Sequence, residues 1–355
     1  MTMTRRECLS WSGAAALGAS LPAWQPSPVQ AQTGRQGLAL CIALSYEKYD
    51  KVAYGGAHVP YLSGCLPDLE NMTDIFHVRN LPVRQLKNAD ATRSNVRRWI
   101  ETAADRLRSG DLFCVTYSGH GTRIRDTNGD EADDECWCLF DGLFLDDELG
   151  ALWTRFREGV RIVVVSDSCH SGTILRDVIF NQSKDRVINL AVKLESQAKG
   201  AAAGEEVKKQ LPRAFPDASR TRDLNFEPSD DEKKIPSASR ALPEPARERL
   251  ERLYGRHYRS LKQRFGMPPR EADRNTKASV LLLAACQDEQ TAADIGTNGL
   301  FTAVLKQQLQ AATGYRRLLD SIRRSLEREN VAQTPNFLTH GEPNTTFERE
   351  VPFTI

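Results

Sequence analysis

Apolar residues fall along this chain in two rhythms. Unbroken runs at 37–45 (GLALCIALS), 111–117 (DLFCVTY), 161–165 (RIVVV) and 279–285 (SVLLLAA) have the length of strands buried on both faces, and Val83–Leu86 adds a shorter one. Between them the apolar positions recur every three or four residues. Leu69, Met72, Ile75 and Phe76 predict a helix over Asp68–Val78. Val96, Ile100, Ala103, Ala104 and Leu107 predict another over Thr92–Leu107, with Thr92 as its N-cap and Gly110 as its stop. Further helices are predicted over 146–156, 299–311 and 315–328, and the extended stretch Thr334–Leu338 holds Pro335, which suits an edge strand. Strands alternating with helices imply an α/β fold with an open, mainly parallel sheet covered on both faces. Sites in such sheets form at the carboxyl ends of strands.

The pattern breaks between about 181 and 277. This stretch is rich in Lys, Arg, Glu, Ser, Ala and Pro, and only Ala246–Phe265 carries a strong helical stripe, so it is expected to be a charged, partly disordered insertion. The first 32 residues also stand apart: Arg5-Arg6, an apolar stretch from Trp11 to Leu21 and small residues at Val29-Gln30-Ala31 form a twin-arginine-type signal peptide. Export to the periplasm or beyond is therefore expected, with residues 33–355 as the folded domain.

Composition narrows the classes. Lys and Arg number 48 against 47 Asp and Glu, so no global field favours nucleic acid or an anionic membrane. No apolar run is long enough to span a bilayer once the signal is removed. Of eight cysteines, Cys8 lies in the signal, leaving an odd number and hence a free, reactive thiol. Cys136 and Cys138 share one side of a strand and are expected to be packed small side chains rather than a disulfide or metal pair.

The polar clusters sit where a parallel sheet places its sites. Tyr117-Ser118-Gly119-His120-Gly121 follows one strand, and Asp167-Ser168-Cys169-His170-Ser171-Gly172 follows another. A thiol needs a neighbouring base to become a nucleophile, and glycines let backbone approach a substrate. Cys169 as nucleophile and His120 as base, about 50 residues apart, fit that chemistry. His170 adjoins Cys169 in sequence, but adjacent side chains in a turn diverge. A third cluster, DTNGDEADDE at 126–135 followed by Asp146-Asp147-Glu148, is dense in carboxylates; oxygen-only ligands suit Ca²⁺, and the competing reading is a solvated acidic loop.

With these motifs the chain resembles the metacaspases (in bacteria, orthocaspases), caspase-like cysteine peptidases of clan CD. The resemblance rests on YSGHG at 117–121, DSCHSG at 167–172, LSGCLPDLE at 62–70, LLAACQDEQTA at 282–292 and NGLFT at 298–302. It implies a caspase-like sandwich, with a six-stranded, mostly parallel sheet and helices on both faces. It also implies that Cys169 attacks the scissile carbonyl, that His120 moves the proton, and that the N–H groups of Gly121 and Cys169 form the oxyanion hole. Cys65, Asp68, Ser118 and Asp167 match the primary pocket. Animal caspases carry Arg where this chain has Leu62 and Gln where it has Asp167, so cleavage after Arg or Lys is expected. Asp68 as a mere helix cap is the alternative. Asp134, Asp146 and Asp147 match calcium ligands, with Asp133 or Glu135 as alternatives to Asp134 and Arg176 or Asp177 standing where the family has a fourth. The expectation is a calcium-stimulated, monomeric endopeptidase acting on peptides and proteins, with no organic cofactor and no nucleic-acid partner. Its insertion, with Lys184, Arg186, Lys233, Lys234 and Arg240, would be open to self-processing of a zymogen. A catalytically silent module of the same fold and a gingipain-like Arg-specific peptidase are the competing readings.

Overall fold

Three apolar runs lose every residue from solvent, Gly37–Ala43, Leu112–Ser118 and Arg161–Asp167, because they form the middle of one sheet. In the computed structural model, which describes residues 34–125, 133–169, 182–215, 229–265, 275–287 and 290–355, the strands are β1 (Gly37–Ala43), β2 (Val83–Lys87), β3 (Leu112–Ser118), β4 (Gly121–Arg125), β5 (Asp133–Leu139), β6 (Gly142–Leu145), β7 (Arg161–Asp167), β8 (Ser279–Ala284) and β9 (Asn336–Gly341). Six of them make the main sheet in the order β2-β1-β3-β7-β8-β9, parallel except for the antiparallel edge strand β9. The expected signal segment, residues 1–32, lies outside the described residues.

The helices are α1 (Cys65–Val78), α2 (Arg93–Arg106), α3 (Asp146–Trp153), α4 (Lys184–Lys199), α5 (Ala201–Ala214), α6 (Glu244–Phe265), α7 (Leu300–Leu309), α8 (Tyr315–Arg328) and α9 (Thr345–Arg349). The chain runs from β1 outward to β2 through α1, then back past β1 to β3 through α2. The two connections leave β1 in opposite directions, and if both are right-handed, as parallel crossovers are, they put these helices on opposite faces of the sheet. α2 starts as expected: Thr92 Oγ1 accepts the Asn95 N–H at 3.2 Å, and Val96, Trp99, Ile100, Ala103 and Ala104 form the buried stripe. Its neighbour α1 begins one turn earlier than its stripe predicts, because the Gly64 to Asp68 turn is itself helical.

Two features depart from the sequence reading. β4, β5 and β6 form a separate antiparallel sheet, which carries Cys136 and Cys138 as buried free thiols. The insertion also contains α4 and α5 where only one helix was expected. Val187, Ile188, Leu190 and Ala191 of α4 and Val207 and Leu211 of α5 are buried, a stripe diluted by the Lys, Glu and Ala of the outer faces. Among the described residues no helix is long and apolar enough to cross a membrane.

Candidate active site

The register of the central strands places Ala43, Ser118 and Asp167 side by side at their carboxyl ends, next to the point where strand order reverses. His120 lies in the two-residue break between β3 and β4, and Cys169 two residues past β7.

Two tyrosines hold the histidine backbone. Tyr46 Oη accepts the His120 N–H at 2.8 Å, Tyr117 Oη donates to the His120 carbonyl at 2.6 Å, and Trp137 stacks on Tyr117 with centroids 4.6 Å apart. The imidazole is buried. Its Nε2 is 2.8 Å from the Pro60 carbonyl, which can only accept, so Nε2 carries the proton of the neutral ring. Among the described residues Nδ1 has no hydrogen-bond partner, which leaves it as the basic nitrogen. Burial pushes His120 down to about 4, against a weaker upward pull from the carbonyls of Pro60 and Arg240. The ring is therefore neutral at pH 7, as a general base must be.

The Cys169 thiol is not hydrogen-bonded to His120. Its sulfur lies 3.3 Å from Cys286 Sγ, donates to the Gln290 carbonyl at 3.1 Å and accepts the Ala292 N–H at 2.6 Å. His120 and Cys169 are nevertheless joined through Gly121, whose missing side chain lets the Cys169 carbonyl approach; a Cβ there would collide with it. The expected base and nucleophile thus border one cleft, with the thiol turned toward the β8 side. His170 lies outside the described residues.

The cleft is filled by the chain itself. The segment 237–243 of the insertion crosses it in extended form. Ser237 N donates to the Tyr61 carbonyl at 2.7 Å, Asp294 N to the Ala238 carbonyl at 2.8 Å, Arg240 N to the Ala292 carbonyl at 3.1 Å and Leu242 N to the Gly121 carbonyl at 3.3 Å. Ser239 bridges Ala293 antiparallel and Ala241 bridges Gly121 parallel. An added strand of this kind is the way a cleft binds an extended peptide. The Arg240 carbonyl accepts the Gly121 N–H at 3.1 Å, the position expected of an oxyanion-hole donor.

The Arg240 side chain, 0% exposed, runs into an acidic pocket. Nη2 donates to Asp68 Oδ2 at 2.7 Å and to Asp294 Oδ2 at 3.1 Å; Nη1 donates to Ser118 Oγ at 2.9 Å and to the Asp167 carbonyl at 2.8 Å, with Asp167 Oδ1 3.1 Å away. The other oxygens are held by neutral donors. Asp68 accepts Asn298 Nδ2 at 3.0 Å and Gly299 N at 2.9 Å, and Asp167 Oδ2 accepts both Thr302 N and Oγ1. Asp68 is therefore a pocket wall and not a cap of its own helix. Gly299 is required here, since a Cβ would strike Asp167 and the guanidinium. Burial raises Asp68 to about 7 against the pull of Arg240, and burial raises Asp294 as well. Burial alone would depress the guanidinium, but Asp167, Cys65, Asp68 and Asp294 raise it well above its ordinary value. Cys65, the fourth residue expected in the pocket, is buried at the start of α1, where Arg240 moderates the rise that burial imposes on its thiol.

Away from the cleft, Asp134 on β5 and Asp146 and Asp147 at the start of α3 bring one oxygen each within 4.8 Å of one another. Asp146 also accepts the N–H groups of Glu135, at 3.2 Å, and Asp147, at 2.9 Å, which fixes its carboxylate. An all-oxygen set of this size fits a calcium ion in donor chemistry. Residues 126–132 and the two candidates for a fourth ligand, Arg176 and Asp177, lie outside the described residues.

Sequence reasoning missed Asp294, Pro60 and Tyr46, and gave Cys286 no role beyond its place in the LLAACQDEQTA run. Asp294 stands two residues beyond the QDEQTA run, and the others carry no chemical signal until folding places them.

A thiol and an imidazole at adjoining strand tips, above a pocket for an extended chain, define a caspase-like cysteine-type peptidase. The chain belongs to the caspase-domain peptidase family, whose sequence profile matches residues 36–344. It is 30% identical over 169 residues to Metacaspase-2 of Trypanosoma brucei brucei, covering 43% of this chain and 45% of that protein. It is 33% identical over 127 residues to Metacaspase-4 of Arabidopsis thaliana, covering 32% of this chain and 30% of that one. The matches thus span less than half the length of these relatives. A protein of known crystal structure from Geobacter sulfurreducens is 32% identical with a TM-score of 0.66, over 90% of this chain and 99% of that one.

Proposed function

We propose that this protein is an endopeptidase that cleaves after Arg or Lys through Cys169 and His120, is kept latent by its own segment 237–243, and processes itself at the Arg240–Ala241 bond. The observation that carries this is Arg240, seated among three aspartates with its carbonyl on the Gly121 N–H. That is the placement of a substrate residue whose following peptide bond is to be cut.

In this mechanism the Cys169 sulfur first leaves its contacts with Cys286 and Gln290, and its proton passes to His120 Nδ1. The thiolate attacks the carbonyl carbon. The Gly121 N–H, joined by the Cys169 N–H, stabilises the oxyanion, a contribution of roughly a hundredfold or more per donor. The C–N bond breaks as His120 returns the proton to the Ala241 nitrogen, leaving a thioester on Cys169. Water, deprotonated by His120, then releases the Arg240 carboxylate and restores the thiol. The Pro60 carbonyl keeps Nε2 protonated throughout, so that Nδ1 is the nitrogen that works.

Asp134, Asp146 and Asp147 would hold calcium, and a bound ion would neutralise their mutual repulsion and stiffen the β5–α3 junction. The protein is further proposed to be exported by the twin-arginine route, to act as a monomer and to take peptides or proteins with a basic residue at the cleavage site.

The test is a fluorogenic peptide panel with Arg, Lys or Asp at the cleavage position, with and without calcium, beside mass spectrometry of wild type and Cys169→Ala. Turnover of Arg and Lys peptides and a new end at Arg240 in wild type alone are expected. Turnover of the Asp peptide only, or identical fragments in both proteins, would reject the reading.

A further inference from the structure

We infer that Asp294 is a third wall of the primary pocket and makes the enzyme select arginine over lysine. The inference rests on the reading of the Arg240 site as the place where a basic substrate residue binds, and adds to it which basic residue is preferred. Asp294 is buried at 1% exposure in the loop between β8 and α7. Its carboxylate is aimed by the Gly64 N–H, at 3.0 and 3.1 Å to the two oxygens, and by the Gly296 N–H at 2.9 Å to Oδ1. Oδ2 then faces Arg240 Nη2 at 3.1 Å.

The selectivity follows from where the donors sit. The two terminal nitrogens of the guanidinium divide the pocket. Nη1 serves Asp167 and Ser118, and Nη2 serves Asp68 and Asp294 together, while Nε has no hydrogen-bond partner among the described residues. All recognition therefore lies beyond Cζ. A lysine has the same number of atoms to Nζ as arginine has to Cζ, so its single nitrogen stops one bond short of both contact positions. It can turn toward one side of the pocket but cannot bridge Asp68 and Asp294 while also meeting Asp167. The planar fork of arginine does this without cost in geometry. A buried carboxylate left without its partner is penalised, which turns a missing contact into discrimination.

Two measurements decide the matter. The first compares kcat/KM on two peptides that differ only in Arg or Lys at the cleavage position, for the parent and for Asp294→Asn. The asparagine keeps an oxygen for Gly64 and Gly296. The parent should favour Arg, and Asp294→Asn should lower that Arg-to-Lys ratio by about tenfold. A uniform loss on both peptides at an unchanged ratio would mean that Asp294 only supports the loop, and would overturn the assignment. A parent that cleaves neither peptide would bring down the basic-residue reading and this inference together, whereas cleavage after Arg with an unaltered ratio in the variant would bring down this inference alone. The second measurement needs no turnover. In the Cys169→Ala chain, Arg240→Lys should lower the melting temperature, and should lower it less when Asp294→Asn is already present. Equal losses in the two backgrounds would contradict the assignment.

Discussion

Two trios of aspartate lie in this protein and enclose differently shaped spaces. Asp68, Asp167 and Asp294 stand at the tips of the main sheet, fully buried, and close on the Arg240 guanidinium. Asp134, Asp146 and Asp147 stand where the small antiparallel sheet meets α3, only Asp134 buried, and converge on a point within 4.8 Å. In the first trio the spare oxygens are taken up by backbone N–H groups, an amide and a hydroxyl, so the carboxylates are fixed around a flat cation with two outlying nitrogens. In the second, Asp146 also accepts the backbone N–H groups of Glu135 and Asp147, but one oxygen of each carboxylate converges on the other two, which suits a small hard ion. Residue type is the same in both; what differs is the shape of the space between the carboxylates.

The sharpest way to break this comparison is to remove the cation from the first trio. In the Cys169→Ala background, Arg240→Ala leaves three buried carboxylates uncompensated and should cost ~3–5 kcal/mol of unfolding free energy at pH 8. The sign with pH is fixed by Asp68, whose folded value of about 7 already exceeds the 3.8 of an ordinary Asp. Taking Arg240 away raises it further. The folded chain then binds more protons than the unfolded one from about pH 4 upward, so the variant should lose stability as pH rises and recover part of it in acid. Denaturant unfolding at pH 5 and pH 8 measures this. An unchanged midpoint at pH 8 would mean that the pocket does not depend on its counter-ion.

The next largest effect sharpens it. Asp68→Asn should lower kcat/KM on an Arg peptide by about a hundredfold or more, since one partner of a desolvated charge pair is lost. Asp146→Asn should leave the preference for Arg unchanged. A comparable loss of preference in both variants would remove the division of labour between the trios.

How far the sequence foretold these sites follows the same division. β1, β3, β7 and β8 were legible because a strand buried on both faces must be continuously apolar. α2 was legible from its stripe and its Thr92 cap. That Cys169, His120 and Asp167 lie beside one another was legible because their motifs fall at strand ends, and Asp68 joins them from the first turn of α1. The occupant of the pocket was not. Ser239-Arg240-Ala241 has no periodicity, no turn signal and no distinctive neighbours, and in the sequence Arg240 is one basic residue among several in the insertion. Its meaning comes from the depth of a pocket built by α1, β3, β7 and the loop before α7. The helices α4 and α5 were hidden for a different reason: their mean composition is polar, and only the spacing of Val187, Ala191, Val207 and Leu211 records that they bury one face.

The second trio is tested by titrating calcium into the Cys169→Ala protein calorimetrically. Replacing Asp147 by Asn should weaken binding by about tenfold, because ligand charge count sets affinity in oxygen sites. The same substitution should leave the Arg240 contacts, and hence melting without calcium, close to the parent. No calcium heat in the parent would show that the trio is a solvated acidic corner.

The smallest effect links the cleft back to its own chemistry. Burial holds His120 near 4 against the upward pull of the Pro60 and Arg240 carbonyls, and the positive charge of Arg240 adds a smaller downward one. Burial is the larger cause, so opening the cleft matters more than removing the charge. In Cys169→Ala/Arg240→Ala, His120 should titrate about one unit higher than in Cys169→Ala, a change of ~1.4 kcal/mol between protonation states. NMR of a chain labelled at histidine reads this ring among six. The direction has a consequence for the working enzyme. A histidine whose folded value lies below 6.5 contributes a stability that is present above that pH and is lost as pH falls toward its folded value. The chain with Arg240 in place should therefore weaken between pH 6.5 and about 4 by more than the Arg240→Ala chain. An equal His120 value in the two variants would show that the imidazole is shielded by the tyrosine frame alone and that the segment in the cleft controls access without tuning the base.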